Sequence, residues 1–162
     1  MARKNRKKKS KDSSHIIATN RKASHDYFLE DRYEAGIVLS GWEVKSMRDN
    51  RANLKESYIS AKGGELFLVG SHVSPGATTS THDIVNPTRS RKLLLHRMEI
   101  NRLIGAVERK GYSLIPTQLY WSNGKVKLAF ALAKGKKQYD KRESIKARDI
   151  ERDQARESSS YR

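Results

Sequence analysis

The stretch from Tyr112 to Ala133 constrains the fold of this chain more than any other. Asn123-Gly124 separates two runs of strand composition, Tyr112 to Trp121 and Lys125 to Ala133. Asn-Gly accepts the positive φ angles of a two-residue hairpin turn, whose twist matches two antiparallel strands. On the second run Val126, Leu128, Phe130 and Leu132 alternate onto one face. Lys125 and Lys127 fall on the other face with Ala129, Ala131 and Ala133. This is a half-buried strand with a positively charged outer face.

Other segments extend the β reading. Tyr58 to Lys62, Gly63-Gly64 and Glu65 to Val69 form a second hairpin with its turn residues in place. Gly36 to Met47 is rich in β-branched and aromatic residues and reads as a central strand with a bulge at Gly41. Two helices are expected. Ser24 can cap a short one through Glu30, and a longer one runs from Arg97 to Arg109. In the latter, Ile100, Leu103, Ile104 and Val107 fall at helical spacing, with Gly111 just past the end. A third, weaker helix signal lies at Asn50 to Glu56. Ser74 to Ser90, with Pro75, Gly76 and Pro87, reads as a long loop. The expected class is mainly β with inserted helices: five or six antiparallel strands closing a small barrel, which removes exposed edges. That is the oligonucleotide-binding type of architecture.

Charge divides the chain into zones. There are 34 Lys plus Arg against 18 Asp plus Glu, a net +16. Residues 1–22 carry nine basic side chains and one acid, and residues 134–162 carry ten basic and six acidic. The apolar residues concentrate between them, in about 110 residues, enough for one modest core. So large an excess calls for a polyanionic partner, nucleic acid before a membrane surface. The first eleven residues offer no core-forming side chain beyond Met1, so the arm is expected to be disordered when free. In the tail, Ile145 and Ile150 are five apart and make no helical stripe. Glu143 with Lys146, Arg148 with Glu151 and Asp153 with Arg156 give only weak i, i+3 support. Such a helix is marginal alone.

Catalytic patterns are missing from the sequence. The chain has no cysteine, which excludes disulfides, thiolate metal sites and a Cys nucleophile. His15, His25, His72, His82 and His96 have no metal-binding spacing. Gly135-Lys136 lacks the upstream glycine and the following Ser/Thr of a phosphate loop. Glu30, Asp31 and Glu34 have no Ser/His pattern beside them and read as a solvated or RNA-contacting acidic corner. No apolar segment follows the basic N-terminus, and the longest apolar run, Leu128 to Ala133, cannot span a bilayer. A soluble, cytoplasmic RNA-binding protein is expected, with no enzymatic activity, no cofactor, no metal and no membrane partner.

Four segments carry the binding chemistry: Asn20-Arg21-Lys22-Ala23 with Tyr27, Tyr33 and Glu34 after it; Gly41 to Arg48; Pro87 to Leu95; and Gly135 to Arg142. Their basic side chains suit phosphates and their aromatic rings suit base stacking. Taken in order, the stretches NRKA, YEAGIVLSGWEVKSMR, RKLLLHRMEI and GKKQYDKR resemble the SsrA-binding protein family, also called small protein B. The resemblance covers about residues 18–142. It implies a six-stranded antiparallel barrel with three helices. It also implies binding to the transfer-RNA-like part of transfer-messenger RNA and its delivery to stalled ribosomes.

Carried over to this sequence, the family's RNA-binding face maps to Asn20, Tyr27, Glu34, Leu94, Lys127 and Ala133; the basic side chains of Arg21, Lys22 and Lys134 are expected to join them on phosphates. The tail residues placed on small-subunit RNA are Lys136, Lys137, Tyr139, Asp140, Lys141, Arg142, Ile145 and Ile150. Position 139 is Tyr where the family often has His; both stack on bases. Three parts are expected: a basic arm over 1–17, an RNA-binding barrel over 18–134, and a tail over 135–162 that is disordered when free and, by the resemblance, helical in the ribosome's messenger channel. The protein would act as a monomer alongside the alanyl-charged RNA and its elongation factor. A constitutive ribosomal protein would share the charge and the barrel without needing such a tail. An RNA-processing enzyme would need an acid/base or metal constellation.

Overall fold

The Asn123-Gly124 turn forms as expected, with φ of 51° and 74°, and joins β8 (Ser113–Ser122) to β9 (Lys125–Gly135). The computed structural model describes residues 15–77 and 85–160, apart from the side chains of 138–140 and 159–160. The arm before His15 and the loop residue His82 lie outside the described residues.

Upstream of this hairpin come β1 (Ile16–Thr19), α1 (Arg21–Asp26), β2 (Tyr27–Ile37), α2 (Gly41–Arg48), β3 (Ala52–Asn53), β4 (Tyr58–Lys62), β5 (Glu65–Val69), β6 (His72–Val73), β7 (Arg91–Leu94) and α3 (Arg97–Lys110). α4 (Gln138–Ser160) follows it. The molecule is mainly β, with four helices among the described residues and one large antiparallel sheet. Pairing runs β8–β4–β5–β7–β2–β9, and β9 pairs again with β8, so six strands make a closed circuit of ladders. β1 adds to β8, and β3 pairs with β6 in a separate two-stranded sheet.

The main core gathers Leu66, Leu68, Leu93, Leu128 and Phe130 from the strands. α3 adds Ile100 and Leu103, with Ile104 and Val107 packed beside them, and Gly111 ends the helix at a φ of 69°. Each fully buried leucine contributes about 2 kcal/mol of transfer free energy. Gly70 is required by its backbone: its φ is 79°, and a Cβ there would lie 2.8 Å from the Glu56 carbonyl oxygen. Gly70→Ala is therefore expected to destabilise the fold by about 1–3 kcal/mol, read by urea denaturation.

Several expectations are corrected. The strand read at Gly36 to Met47 is displaced: β2 ends at Ile37, and Gly41–Arg48 is helical. The cause is a cap. The Glu43 carboxylate accepts the Ser40 N–H at 3.0 Å, the backward half of a capping box. Trp42, Glu43, Ser46 and Met47 then form the buried face of α2. The helix expected from Ser24 to Glu30 runs instead from Arg21 to Asp26, and Tyr27 already belongs to a strand. No helix forms at Asn50 to Glu56, where Asn50 takes a φ of 54° and β3 follows. Ile16 and Ile17, assigned to the arm, belong to β1, where Ile16 pairs with Tyr120 and Ile17 is buried. The tail carries one helix of 23 residues, Gln138–Ser160; the sequence reading expects this segment to be disordered when free and helical on the ribosome. No described helix is long and apolar enough to cross a membrane.

Candidate nucleic-acid interface

The residues expected to bind RNA separate into two groups at opposite ends of the β2–β9 ribbon, with α4 as a third element. Tyr27 and Glu34 are seven residues apart along β2, so the groups lie roughly 23 Å apart at 3.3 Å per residue.

The first group is assembled by four strands. Glu34 sits exposed on β2, and Lys127 on β9 donates to it at 2.7 Å. Tyr120 on β8, directly opposite Lys127 in the hairpin register, donates its hydroxyl to the other Glu34 oxygen. Burial first, and then the Glu34 carboxylate, push the Tyr120 phenol far above its ordinary pKa, so it remains a donor. Leu94 on β7 pairs with Gly36 and is 53% exposed. A Cβ at Gly36 would lie only 3.2 Å from the Leu94 Cβ, so the glycine lets Leu94 seat low over the sheet. Glu34, Leu94, His96 and Lys127 rim an open hollow of about 470 Å³. A carboxylate acceptor, an ammonium and a bare leucine side by side suit the edge of a nucleotide rather than a phosphate alone.

The second group surrounds α1. Arg21 and Lys22 are exposed, and Lys22 pairs with Glu56 at 3.1 Å. Tyr27 is half-buried and lines a cavity of about 350 Å³ with Lys22, Lys55, Tyr58 and Tyr112. Lys134 is exposed, its ammonium 4.8 Å from the centre of the Tyr112 ring. Two residues of the expected set face inward instead. Asn20 is 7% exposed; its N–H donates to Thr117 O at 2.8 Å and its side-chain amide to Pro116 O at 2.9 Å. Ala133 is fully buried with Ala23 and Ile115 in a small second core. Both hold α1 and Tyr27 in place beneath the surface. The small side chain at 133 lets β9 pack against Ala23 of α1 in that cluster.

In the tail, Ile145 and Ile150 are 41% and 58% exposed, and Arg142 is exposed. Lys137 is exposed, and its carbonyl accepts the Lys141 N–H at 3.2 Å. The side chains of Tyr139 and Asp140 lie outside the described residues. Lys136 and Lys141 turn back toward α1. Among the described residues no three metal-ligating side chains converge.

The sequence reading missed Tyr120. Its signal was available: a two-residue turn at 123–124 places residue 120 opposite residue 127. It also missed the buried group around Glu43, which accepts from both Arg89 and Arg91. Those contacts are between distant segments and leave no local pattern.

Residues 17–160 match the model of the SmpB protein family. The chain belongs to that family. The SsrA-binding protein of Azoarcus sp. is 59% identical over 140 residues, which cover 86% of this chain and 95% of the relative. The SsrA-binding protein of Nitrosomonas europaea is 59% identical over 140 residues, covering 86% and 93%. Among solved structures, a chain from "tmRNA-SmpB: a journey to the center of the bacterial ribosome" superposes with a TM-score of 0.62 at 41% identity. It covers 78% of this chain and 92% of its own. The SmpB match runs from β1 through α4, so it includes both sheet groups and the tail.

Proposed function

We propose that this protein binds the transfer-RNA-like part of transfer-messenger RNA and delivers it to stalled ribosomes. The observation that carries the reading is the SmpB family match, which runs unbroken through fold and tail over residues 17–160. A constitutive ribosomal protein has no reason to share that whole span. In this reading the six-strand circuit is an oligonucleotide-binding-like barrel. Its Glu34–Lys127–Leu94 group and its Tyr27 group are two contacts on one folded RNA. The partners are the alanyl-charged RNA with its elongation factor, and the small-subunit RNA, which receives the tail. The protein acts as a cytoplasmic monomer and supplies binding rather than catalysis.

The direct test is to sequence the RNA that co-purifies with the protein from its host. Transfer-messenger RNA should dominate; a uniform yield of ribosomal RNA at one copy per ribosome overturns the proposal. Salt dependence supplies a second check. Binding to random RNA should weaken steeply with salt as Lys and Arg contacts release counterions. Binding to transfer-messenger RNA should have a shallower slope because stacking and shape contribute. Equal slopes would remove the specific site.

Substitutions separate the two groups. Tyr27→Ala should weaken transfer-messenger RNA binding roughly tenfold, since stacking on one base is worth about 1–3 kcal/mol. Glu34→Ala removes the shared acceptor of Tyr120 and Lys127 and should cost a similar factor through lost charged hydrogen bonds. Filter binding gives the affinities and circular dichroism checks that the fold survives. A melted Tyr27→Ala variant would make that ring a core residue, which its packing beside Ala23 allows.

A further inference from the structure

Leu119 and Trp121 pack into the main core from β8, so Tyr120 between them stands on the outer face of the sheet. The ladder registers place it in a row. Tyr120 on β8 pairs with Lys127 on β9, Lys127 with Gly36 on β2, and Gly36 with Leu94 on β7. Tyr, Lys, Gly and Leu therefore lie side by side across the sheet. Glu34 comes two residues before Gly36 on β2, on the same face and one step out of the row. Gly36 has no side chain to brace the Glu34 carboxylate. Two donors reach that carboxylate from beyond β2. The Lys127 ammonium donates to Oε1 at 2.7 Å, and the Tyr120 hydroxyl donates to Oε2. The tyrosine contact bridges two strand spacings, about 10 Å.

The two donors differ in what they impose. The Lys127 and Glu34 side chains are 33% and 50% exposed, and an ion pair at that exposure is weak and screened by salt. Lysine is a point charge on a flexible stem. It attracts the carboxylate without orienting it. Tyr120 carries its donor on a rigid ring with two side-chain torsions. Its bond to an ionised acceptor belongs to the stronger, directional kind. Burial and the neighbouring carboxylate raise the phenol pKa far above its ordinary value, so the proton stays on the tyrosine. A carboxylate offers about four acceptor positions, so accepting from Tyr120 and Lys127 leaves capacity for a donor of the RNA.

We propose that Tyr120 is a positioning residue for RNA binding: its hydroxyl fixes the Glu34 carboxylate, beside Leu94 and Lys127, in the orientation that meets the edge of a nucleotide. The inference rests on the reading of that group as an RNA contact. Without the hydroxyl, Glu34 keeps its charge and its lysine but samples several rotamers. The RNA must then order the side chain as it binds. Ordering one such side chain lowers affinity by about threefold to tenfold.

Tyr120→Phe keeps the ring and removes only the donor. In the whole protein, labelled with carbon-13 and free of RNA, three-bond couplings of the Glu34 side chain should report one rotamer at each of χ1 and χ2. In Tyr120→Phe they should move to averaged values. Filter binding should show transfer-messenger RNA affinity lowered roughly threefold to tenfold, with the circular dichroism spectrum unchanged. In a Glu34→Ala background the same substitution should cost nothing further, which a tyrosine acting by itself would not give. Unchanged couplings or an unchanged affinity overturns the inference. So does an equal loss in the Glu34→Ala background, which would make Tyr120 a contact of the RNA itself. A melted Tyr120→Phe variant overturns it as well, since the hydroxyl would then serve the fold. Failure of the transfer-messenger RNA reading would show in the parent's own RNA binding, whereas failure of this inference shows in the Glu34 couplings.

Discussion

A chain ending after Lys137 is expected to bind transfer-messenger RNA nearly as well as the whole protein and to lose peptide tagging on stalled ribosomes. The binding half follows from where the two sheet groups lie. Glu34, Leu94 and Lys127, and Tyr27 with Lys134, all precede the cut. The cut removes the Lys141 contact with Asp26 and the Lys136 contact with Ser144, and neither buried cluster contains a residue of α4. The tagging half follows from treating fold and tail as two modules on one chain. Linked modules gain about 10²–10⁴ in avidity over either alone, so the loss of tagging should be about 100-fold or more at limiting protein. Filter binding against the isolated transfer-RNA-like domain, set beside a stalled-ribosome tagging assay, separates the two jobs. Full tagging from the shortened chain would end the two-module reading. So would an equal loss in both assays.

Glu43→Ala should be the most destabilising single substitution in the described part of the molecule, at about 3–5 kcal/mol. Glu43 and Arg91 are both fully buried, and Glu43 bonds Arg91, Arg89 and the Ser40 N–H together. Arg91 also donates to Ser71 Oγ at 2.9 Å and to the Arg89 carbonyl at 3.0 Å. Those acceptors are neutral, so without Glu43 a guanidinium is left buried and uncompensated. The capping contact of α2 is lost with it. Urea denaturation measures the effect, and a loss below about 1 kcal/mol would show that the site relaxes or admits water.

The same carboxylate predicts an acid dependence. Burial alone would raise its pKa, but the hydrogen bonds from Ser40, Arg89 and Arg91 outweigh burial and hold it below the ordinary value of 4.5. Folding therefore favours the ionised form. Its contribution is fully present above the unfolded-state pKa and disappears as pH falls through the folded-state value. The stability difference between the parent and Glu43→Gln should accordingly shrink as pH falls below 4.5. A difference that stays constant down to pH 3 would remove Glu43 from the acid response.

Much of the fold was legible because its determinants are local. The hairpins at 63–64 and 123–124 needed only their turn residues and alternating strands. α3 needed only its apolar spacing and Gly111. The SmpB resemblance rested on four short ordered stretches. What the chain by itself could not convey is every feature made by residues far apart in sequence. α2 looked like a strand because Trp42 and Val44 favour strands; its Ser40–Glu43 cap is local, but the partners that bury Glu43 arrive 46 and 48 residues later. Asn20 and Ala133 looked like surface residues until Asn20 bonded to β8 and Ala133 packed with Ala23 and Ile115. Lys141 looked unpartnered because its contact, Asp26, belongs to the opposite end of the chain. Local periodicity and turn chemistry are written into neighbouring residues. Burial and paired charges exist only once the chain has closed on itself, and there the tertiary structure alone decides.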